Sequence, residues 1–355
     1  MKNTEHINEV PDTGISGVYE VFYATDDWDY TKRYFEDFGF HVVKESSLDE
    51  HSAQALYGYA SRANSYRMQS GDIDSHGLLR VIVWDKPLNN GVGYCPPRTI
   101  GSRISVMMTQ DIFRLNDIFN NARENGSQCF ATPPVMDDLF DLDSDEKDFF
   151  SRPVVVRENA VYSGFFNHIF FQRYGYSIPG YGTVNQDCTL KTSEFTHHDF
   201  FIKASDMSEM SFMSTALGLI AEDDVALDGD WKKGPKEVFQ MRPGEAHYYQ
   251  GFVSPNNICG KLKFFIPTTP TVDKSDFQVM GALGITMHSF YTSKLNQVYS
   301  LVESHDLSPT SIQDNEFGEL CFTFVGPGGC HWQIIEEQKI NHKPKTELKF
   351  ELTKN

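Results

Sequence analysis

The chain has 355 residues, 40% of them hydrophobic, with 31 Lys and Arg against 49 Asp and Glu and a formal net charge of −18. That is apolar material for a large core, inside a surface whose sign repels phosphate backbones and anionic lipid, so neither nucleic acid nor membrane is an expected partner. No run approaches the roughly 20 apolar residues of a bilayer span, and the polar N-terminus lacks the apolar stretch of a secretory signal.

In chain order, four segments repeat one pattern: an apolar-alternating strand, a short polar turn, then an amphipathic helix. They run from Gly17 to Val43, Ser102 to Phe130, Thr196 to Asp224 and Gly284 to Leu307. The turns offer helix N-caps at Thr25 or Asp26, Ser205 or Asp206, and Thr292 or Ser293, while Gly39, Gly126 and Gly218 stand where helices end. Further strands are expected after each helix. In unit one they are Ala53–Tyr59 and His76–Trp84, and in unit two Val154–Val156 and Phe165–Arg173. Unit three offers Glu237–Met241, Ala246–Val253 and Lys261–Ile266; unit four offers Ser311–Gln313, Glu319–Val325 and His331–Glu337.

Unit two carries an acidic insertion, Met136 to Phe150, read as a helical excursion or lid. The Gly- and Pro-rich stretch 175–195 reads as a linker. The organisation expected is an N-terminal pair of units over 1–174, the linker, a C-terminal pair over 196–340, and a Lys-rich tail over 341–355 that adds an edge strand or stays loose. Six Cys (95, 129, 188, 259, 321 and 330) form no CxxC pair, which suits reduced thiols of a cytoplasmic protein. Composition leaves open whether the units pair within one chain or across a homodimer.

The order of these elements, with the stops Phe38-Gly39-Phe40 and Leu217-Gly218-Leu219 and the closing hairpin from Phe324 through Pro327-Gly328-Gly329 to Ile335, resembles the vicinal-oxygen-chelate superfamily of glyoxalases, extradiol dioxygenases and bleomycin-resistance proteins. The resemblance implies an α+β fold of repeated βαβββ modules, two pairs curling into open barrels. It also implies a divalent metal (Fe, Mn, Zn or Ni) in a pocket that takes a small organic molecule, aromatic or oxo-acid-like, for dioxygenase chemistry or for lyase or isomerase chemistry through an enolate. A metal-free protein that sequesters a small molecule is the alternative.

Tested residue by residue, the resemblance departs from the usual ligand set. The first-strand ligand of unit three falls on His198 if the helix sets the register, or on Asp199 if the Ser205-Asp206 turn does. His197 and His198 point to opposite faces of the strand. In unit four the equivalent place is near Gly284, which cannot ligate, and His288 on the same face is the substitute. The closing-strand position is Gln333, a neutral and weaker donor, with Glu337 and His331 on its face. The metal set is therefore His198, His288, Gln333 and Glu337, and the substrate contacts are His247, Phe201, Tyr249 and His331. His168 reads as a hydrogen-bonded core histidine, and Glu20 as outward-facing, with a pocket carboxylate the other option. Unit one offers Tyr19 at the ligand position and so no metal. The glycine-rich stretches 91–97 and 326–329 lack the strand-to-helix setting of a phosphate loop.

Overall fold

The structure is a computed structural model that describes residues 10–138, 154–207, 209–222, 225–227, 233–337 and 351–352. Unit one comprises β1 (Glu20–Thr25), α1 (Trp28–Asp37), β2 (Phe40–Leu48), α2 (Glu50–Tyr57), β3 (Ala63–Ser70) and β4 (Leu78–Trp84). Unit two comprises β5 (Arg103–Thr109), α3 (Ile112–Glu124), β6 (Cys129–Ala131), β7 (Val135–Asp138), β8 (Val155–Ser163) and β9 (His168–Tyr174), followed by the short β10 (Tyr176–Ser177). Unit three holds β11 (Thr192–Phe201), α4 (Ala204–Met207), α5 (Phe212–Thr215), β12 (Ile220–Ala221), β13 (Val225–Leu227), α6 (Lys233–Val238), β14 (His247–Val253) and β15 (Lys261–Pro267). Unit four holds β16 (Gly284–Thr292), α7 (Leu295–Ser304), β17 (Gln313–Asp314), β18 (Leu320–Gly326) and β19 (Cys330–Glu336), and β20 (Glu351–Leu352) pairs with β10.

All four units order their strands alike: β1-β4-β3-β2, β5-β9-β8-β6, β11-β15-β14-β12 and β16-β19-β18-β17. In each, the opening strand lies parallel to the closing strand, and the remaining steps outward are antiparallel. The repeated βαβββ reading therefore stands. The pairing of units does not follow the expected N-terminal and C-terminal halves. An antiparallel β1–β16 contact joins units one and four in an eight-stranded sheet, and β5–β11 joins units two and three in a ten-stranded one. The repeat fixes the order inside a unit, but every opening strand is buried along nearly its whole length and any two could meet edge to edge. Both sheets close within one chain. The two crossings between sheets, 85–102 and 268–283, run side by side, with Leu88 N–H donating to Gly281 O and Leu283 N–H to Asn89 O.

Several local expectations are corrected. Residues 53–57, expected as strand, lie in α2: Asp49 caps the amide of Ser52 at 2.7 Å, Gly58 ends the helix at φ 71°, and Ala53, Leu56 and Tyr57 form a buried stripe of helical period. Glu237 and Val238 close α6 where a strand was expected, and the single helix expected after Ser205 is split into α4 and α5. The first helix is capped by Asp27 and not by Thr25 or Asp26. Gly39, Gly126 and Gly218 sit at φ 88°, 95° and 81°, as a helix stop requires. The stretch expected as a linker begins β11 at Thr192 and buries Tyr181 and Cys188. Residues 139–150 of the acidic insertion, and 341–350 and 353–355 of the tail, lie outside the described residues. All six cysteines are free and buried. Among the described residues no helix is long and apolar enough to cross a membrane.

The core divides by sheet face. One face of each sheet meets the other sheet and the helices in a dry seam that contains Val21, Leu79, Met107, Phe170 and Phe195, and further along Phe200, Phe290 and Trp332. The opposite face of each sheet lines the hollow of its curl. In the first hollow Phe22, Ile82 and Met287 pack under α2, and in the second Ile104, Tyr162, Phe201 and Phe265 pack with Val238 and Phe239.

Candidate active site

The first hollow is occupied by the protein's own ions. Glu20 is fully buried, correcting the outward reading, because its cross-strand neighbours Ser289 and Leu78 face the hollow with it. It accepts from Arg67 Nε and, at 2.5 Å, from Arg80 Nη2. Arg67 forks onto Glu319 at 2.6 and 2.7 Å, and Arg80 Nη1 donates to Glu316 at 3.2 Å. Lys44 at the rim reaches Glu319 at 3.3 Å, so three carboxylates meet three cations. The guanidiniums outweigh the penalty of burial and hold the Glu20 and Glu319 carboxyls below the usual carboxylate range. Arg80 also lies over the rings of Phe22 and Phe317, 4.4 and 4.8 Å from their centroids. What stays open is a mouth of about 220 Å³ lined in part by Tyr19, Lys44, Tyr291 and Glu337.

The expected metal ligands do not converge. His198 and His288 are brought together across the seam, ring centroids 4.7 Å apart, on opposing sheets. Gln333 pairs with Ser289, one position off Trp332, which pairs with His288; Gln333 therefore turns into the first hollow, where its amide lies 3.4 Å from Cys321 Sγ, and Glu337 lines the mouth of that hollow. Around the two imidazoles stand Phe195, Phe200, Trp332 and the buried cation Arg103. His198 Nδ1 has Ser105 Oγ at 3.0 Å, but its Nε2 and both nitrogens of His288 have no partner. Burial pushes His198 down to about 3, and His288 well below its ordinary value. Two neutral imidazoles beside a guanidinium, with no carboxylate, do not make a site for a divalent cation. His168 is a core residue, as expected, but not a hydrogen-bonded one. It is caged by Phe38, Phe166 and Phe170, neither ring nitrogen is paired, and desolvation holds it neutral to about 3.

The second hollow carries the chemistry that sequence reading left aside. Alternation along β11 sends His198 to the seam and both His197 and Asp199 to the hollow. Their neighbours on β15 are Lys261 and Lys263, and Phe265 lies opposite Phe201. Asp199 is 2% exposed and its Oδ1 has no hydrogen-bond partner among the described residues. Desolvation raises its carboxyl to about 7 although Lys263 pulls the other way. His197 Nδ1 has Tyr181 OH at 2.9 Å while its Nε2 is unpaired, and burial and the nearby lysines keep the ring neutral. Tyr249 donates to Glu222 at 3.1 Å, and Glu222 pairs with Lys261 at 2.8 Å. Of the expected substrate contacts, Phe201 and Tyr249 line this hollow. His247 lies beside them, accepting from Arg98 Nε at 2.6 Å. His331 belongs to the first sheet and does not reach it. A period-two reading of His197-x-Asp199 and Lys261-x-Lys263 contains this cluster; the register choice that favoured His198 hid it.

A resident metal fits this hollow poorly as well. The unpaired donors on this face of β11 are, among the described residues, His197 Nε2 and Asp199 Oδ1, beside Lys261 and Lys263, and the nearby Glu222 carboxylate is already taken by Lys261. Among the described residues the group of three convergent donors is His76, Glu194 and Cys259.

No protein-family model matches the chain, and no curated protein does. Solved structures do. A variant of glyoxalase I from Zea mays aligns over 90% of this chain and 92% of its own, with TM-score 0.51 at 12% identity. A putative dioxygenase from Bacillus subtilis aligns over 91% of this chain and 86% of its own, with TM-score 0.52 at 9% identity. With four units of one strand order, curled in pairs, and this likeness along nearly the whole length, the chain has the vicinal-oxygen-chelate fold of the glyoxalases and dioxygenases.

Proposed function

We infer that the protein is an acid–base enzyme acting on a small aryl-substituted 2-oxo acid or a similar anion in the hollow of the second sheet. The observation that carries this is Asp199, a buried carboxyl poised at about 7 with an unpaired oxygen, two residues along one strand face from an imidazole with an unpaired nitrogen. Buried polar atoms without partners cost free energy, and two of them on one strand face are what a bound ligand would satisfy. Lys263, Cα partner of Asp199 on the next strand, supplies positive charge for a carboxylate or a developing enolate. Phe201, Phe265 and Tyr249 supply the aromatic wall.

In this reading Asp199 removes the proton α to the carbonyl and returns it to carbon or oxygen, its pKa suiting both directions near neutrality. Tyr181 and Thr196 place hydroxyls 2.9 and 3.1 Å from His197 Nδ1 and orient the ring, so that Nε2 is left for the substrate oxygen. A metal of the Fe, Mn, Zn or Ni kind is not needed for any of these steps. Sequestration without turnover is the other outcome of the test.

The full chain is incubated with phenylpyruvate in D2O and α-hydrogen exchange is followed by NMR. Exchange above the buffer rate, rising with pH through about 7 and falling by roughly 100-fold or more in Asp199→Asn, supports the reading. Binding without exchange in the parent protein would leave sequestration as the function.

A further inference from the structure

We propose that His76, Glu194 and Cys259 form a binding site for a divalent transition-metal ion of the zinc type, at the joint between the two sheets. The three donor atoms lie within 4.8 Å of one another. His76 Nε2 and Glu194 Oε1 are 3.4 Å apart, the edge of a tetrahedron whose metal–ligand bonds are about 2.0–2.1 Å long. Cys259 Sγ lies within 4.8 Å of both, so it reaches the roughly 2.3 Å of a zinc–thiolate bond by closing at most about 1 Å.

The surroundings are those of a ligand set. Ser75 Oγ sits 3.0 Å from His76 Nδ1, fixing which ring nitrogen faces Glu194. The Glu194 carboxylate is held by two amides, Gly182 N–H donating to Oε1 at 2.9 Å and Thr183 N–H to Oε2 at 3.0 Å, and Oε1 keeps a lone pair toward the imidazole. Glu194 and Cys259 are 1% and 2% exposed, whereas His76 is partly open, giving the ion a way in and a water the fourth position. Close backbone approach builds the corner. A Cβ on Gly77 would lie 2.3 Å from Phe195 O, and one on Gly260 2.2 Å from Val18 N, so only glycines let these three segments meet.

Binding balances its charges. The Cys259 thiol, now donating to Gly180 O at 2.8 Å, loses its proton to solvent as the sulfur–metal bond forms. The thiolate and the Glu194 carboxylate then neutralise the two charges of the ion, and His76 binds neutral. The site would tie the turn before β4 to β11 and to the segment before β15. Through Gly180, Gly182 and Thr183 it would also steady the loop that carries Tyr181 to His197. The metal site stands apart from the proposed acid–base chemistry and survives its failure.

The test uses the full chain, stripped with chelator and titrated anaerobically with Co2+, then with Zn2+. Expected are one equivalent of tightly bound Co2+, the visible bands of a tetrahedral ion, a near-ultraviolet thiolate-to-cobalt band, and displacement of all three by Zn2+. Cys259→Ser should abolish the thiolate band, and His76→Ala should weaken binding at least about tenfold, with circular dichroism reporting that both variants fold. A folded parent protein with no thiolate band, or a band unchanged in Cys259→Ser, or an affinity in both variants equal to the parent's, would show a hydrogen-bonded polar corner and overturn the proposal.

Discussion

Replacing Asp199 by Asn should stabilise the protein, and should do so more at high pH than at low. The unfolded chain releases this proton at about 3.9, whereas the fold holds it until about 7. Between those values the folded state binds more protons than the unfolded one, so stability is lost as pH rises through the window and the loss is complete above it. Each pH unit is worth about 1.4 kcal/mol, and the full cost is about 4 kcal/mol for a group this deeply buried. Asn keeps the shape but not the charge, and its own buried amide lacks partners, so a net gain of about 2–4 kcal/mol is expected near pH 8. Urea unfolding of parent and variant at about pH 5.5 and about pH 8 measures it, and the advantage should widen by about 2 kcal/mol between the two. A variant equally or less stable at both pH values would refute the claim that Asp199 is held near neutrality by burial.

Arg80→Met should cost about 3–5 kcal/mol, because it removes the buried cation shared by Glu20 and Glu316, leaving Glu316 with hydroxyl donors and Glu20 with Arg67. Combined with Glu20→Gln it should cost clearly less than the two single changes together, and a double-mutant cycle in urea reads the difference. His168→Phe should flatten the pH dependence of stability. The unfolded chain takes up this proton below about 6.5, while the fold refuses it until about 3, so stability falls as pH drops through that window by about 1.4 kcal/mol per unit. The variant should lose that slope and, with two unpaired nitrogens gone, be no less stable at neutral pH, as thermal melts across the range would report. Gly77→Ala should cost about 2 kcal/mol or more, since φ is 65° and the new methyl meets a carbonyl oxygen at 2.3 Å; a melting temperature within a degree or two of the parent's would contradict that.

The repeat was legible because each unit carries its own punctuation. Gly39, Gly126 and Gly218 ended helices where the sequence placed them, and the closing strands of units three and four fell within a residue or two of their expected bounds. Which opening strands meet was not legible. β1, β5, β11 and β16 are buried alike, and their pairing is decided by the two long crossings, whose composition carries no address. Helix α2 was missed because its eight residues carry a modest apolar stripe that alternation can mimic, with Asp49 and Gly58 the overlooked caps.

The candidate site was half visible. His197 and His198 point to opposite faces, as strand alternation demands, and Asp199 was among the register alternatives. Family-style counting preferred the His198 and His288 pair, which proximity in space confirms as neighbours but which the aromatic seam leaves dry. The arginines that fill the first hollow gave no such hint. Arg67 lies on β3, where no strand was expected, and Arg80 reads as an ordinary strand polar residue until Glu20, Glu316 and Glu319 are seen to converge on the pair.

The central claim is that Asp199 is a carboxyl poised for proton transfer. Carbon-detected NMR of aspartate-labelled protein, assigned with Asp199→Asn, measures it directly. One carboxyl is expected with a midpoint near 7 that shifts when phenylpyruvate is added. A midpoint near the ordinary aspartate value of about 4, unmoved by the oxo acid, would contradict it.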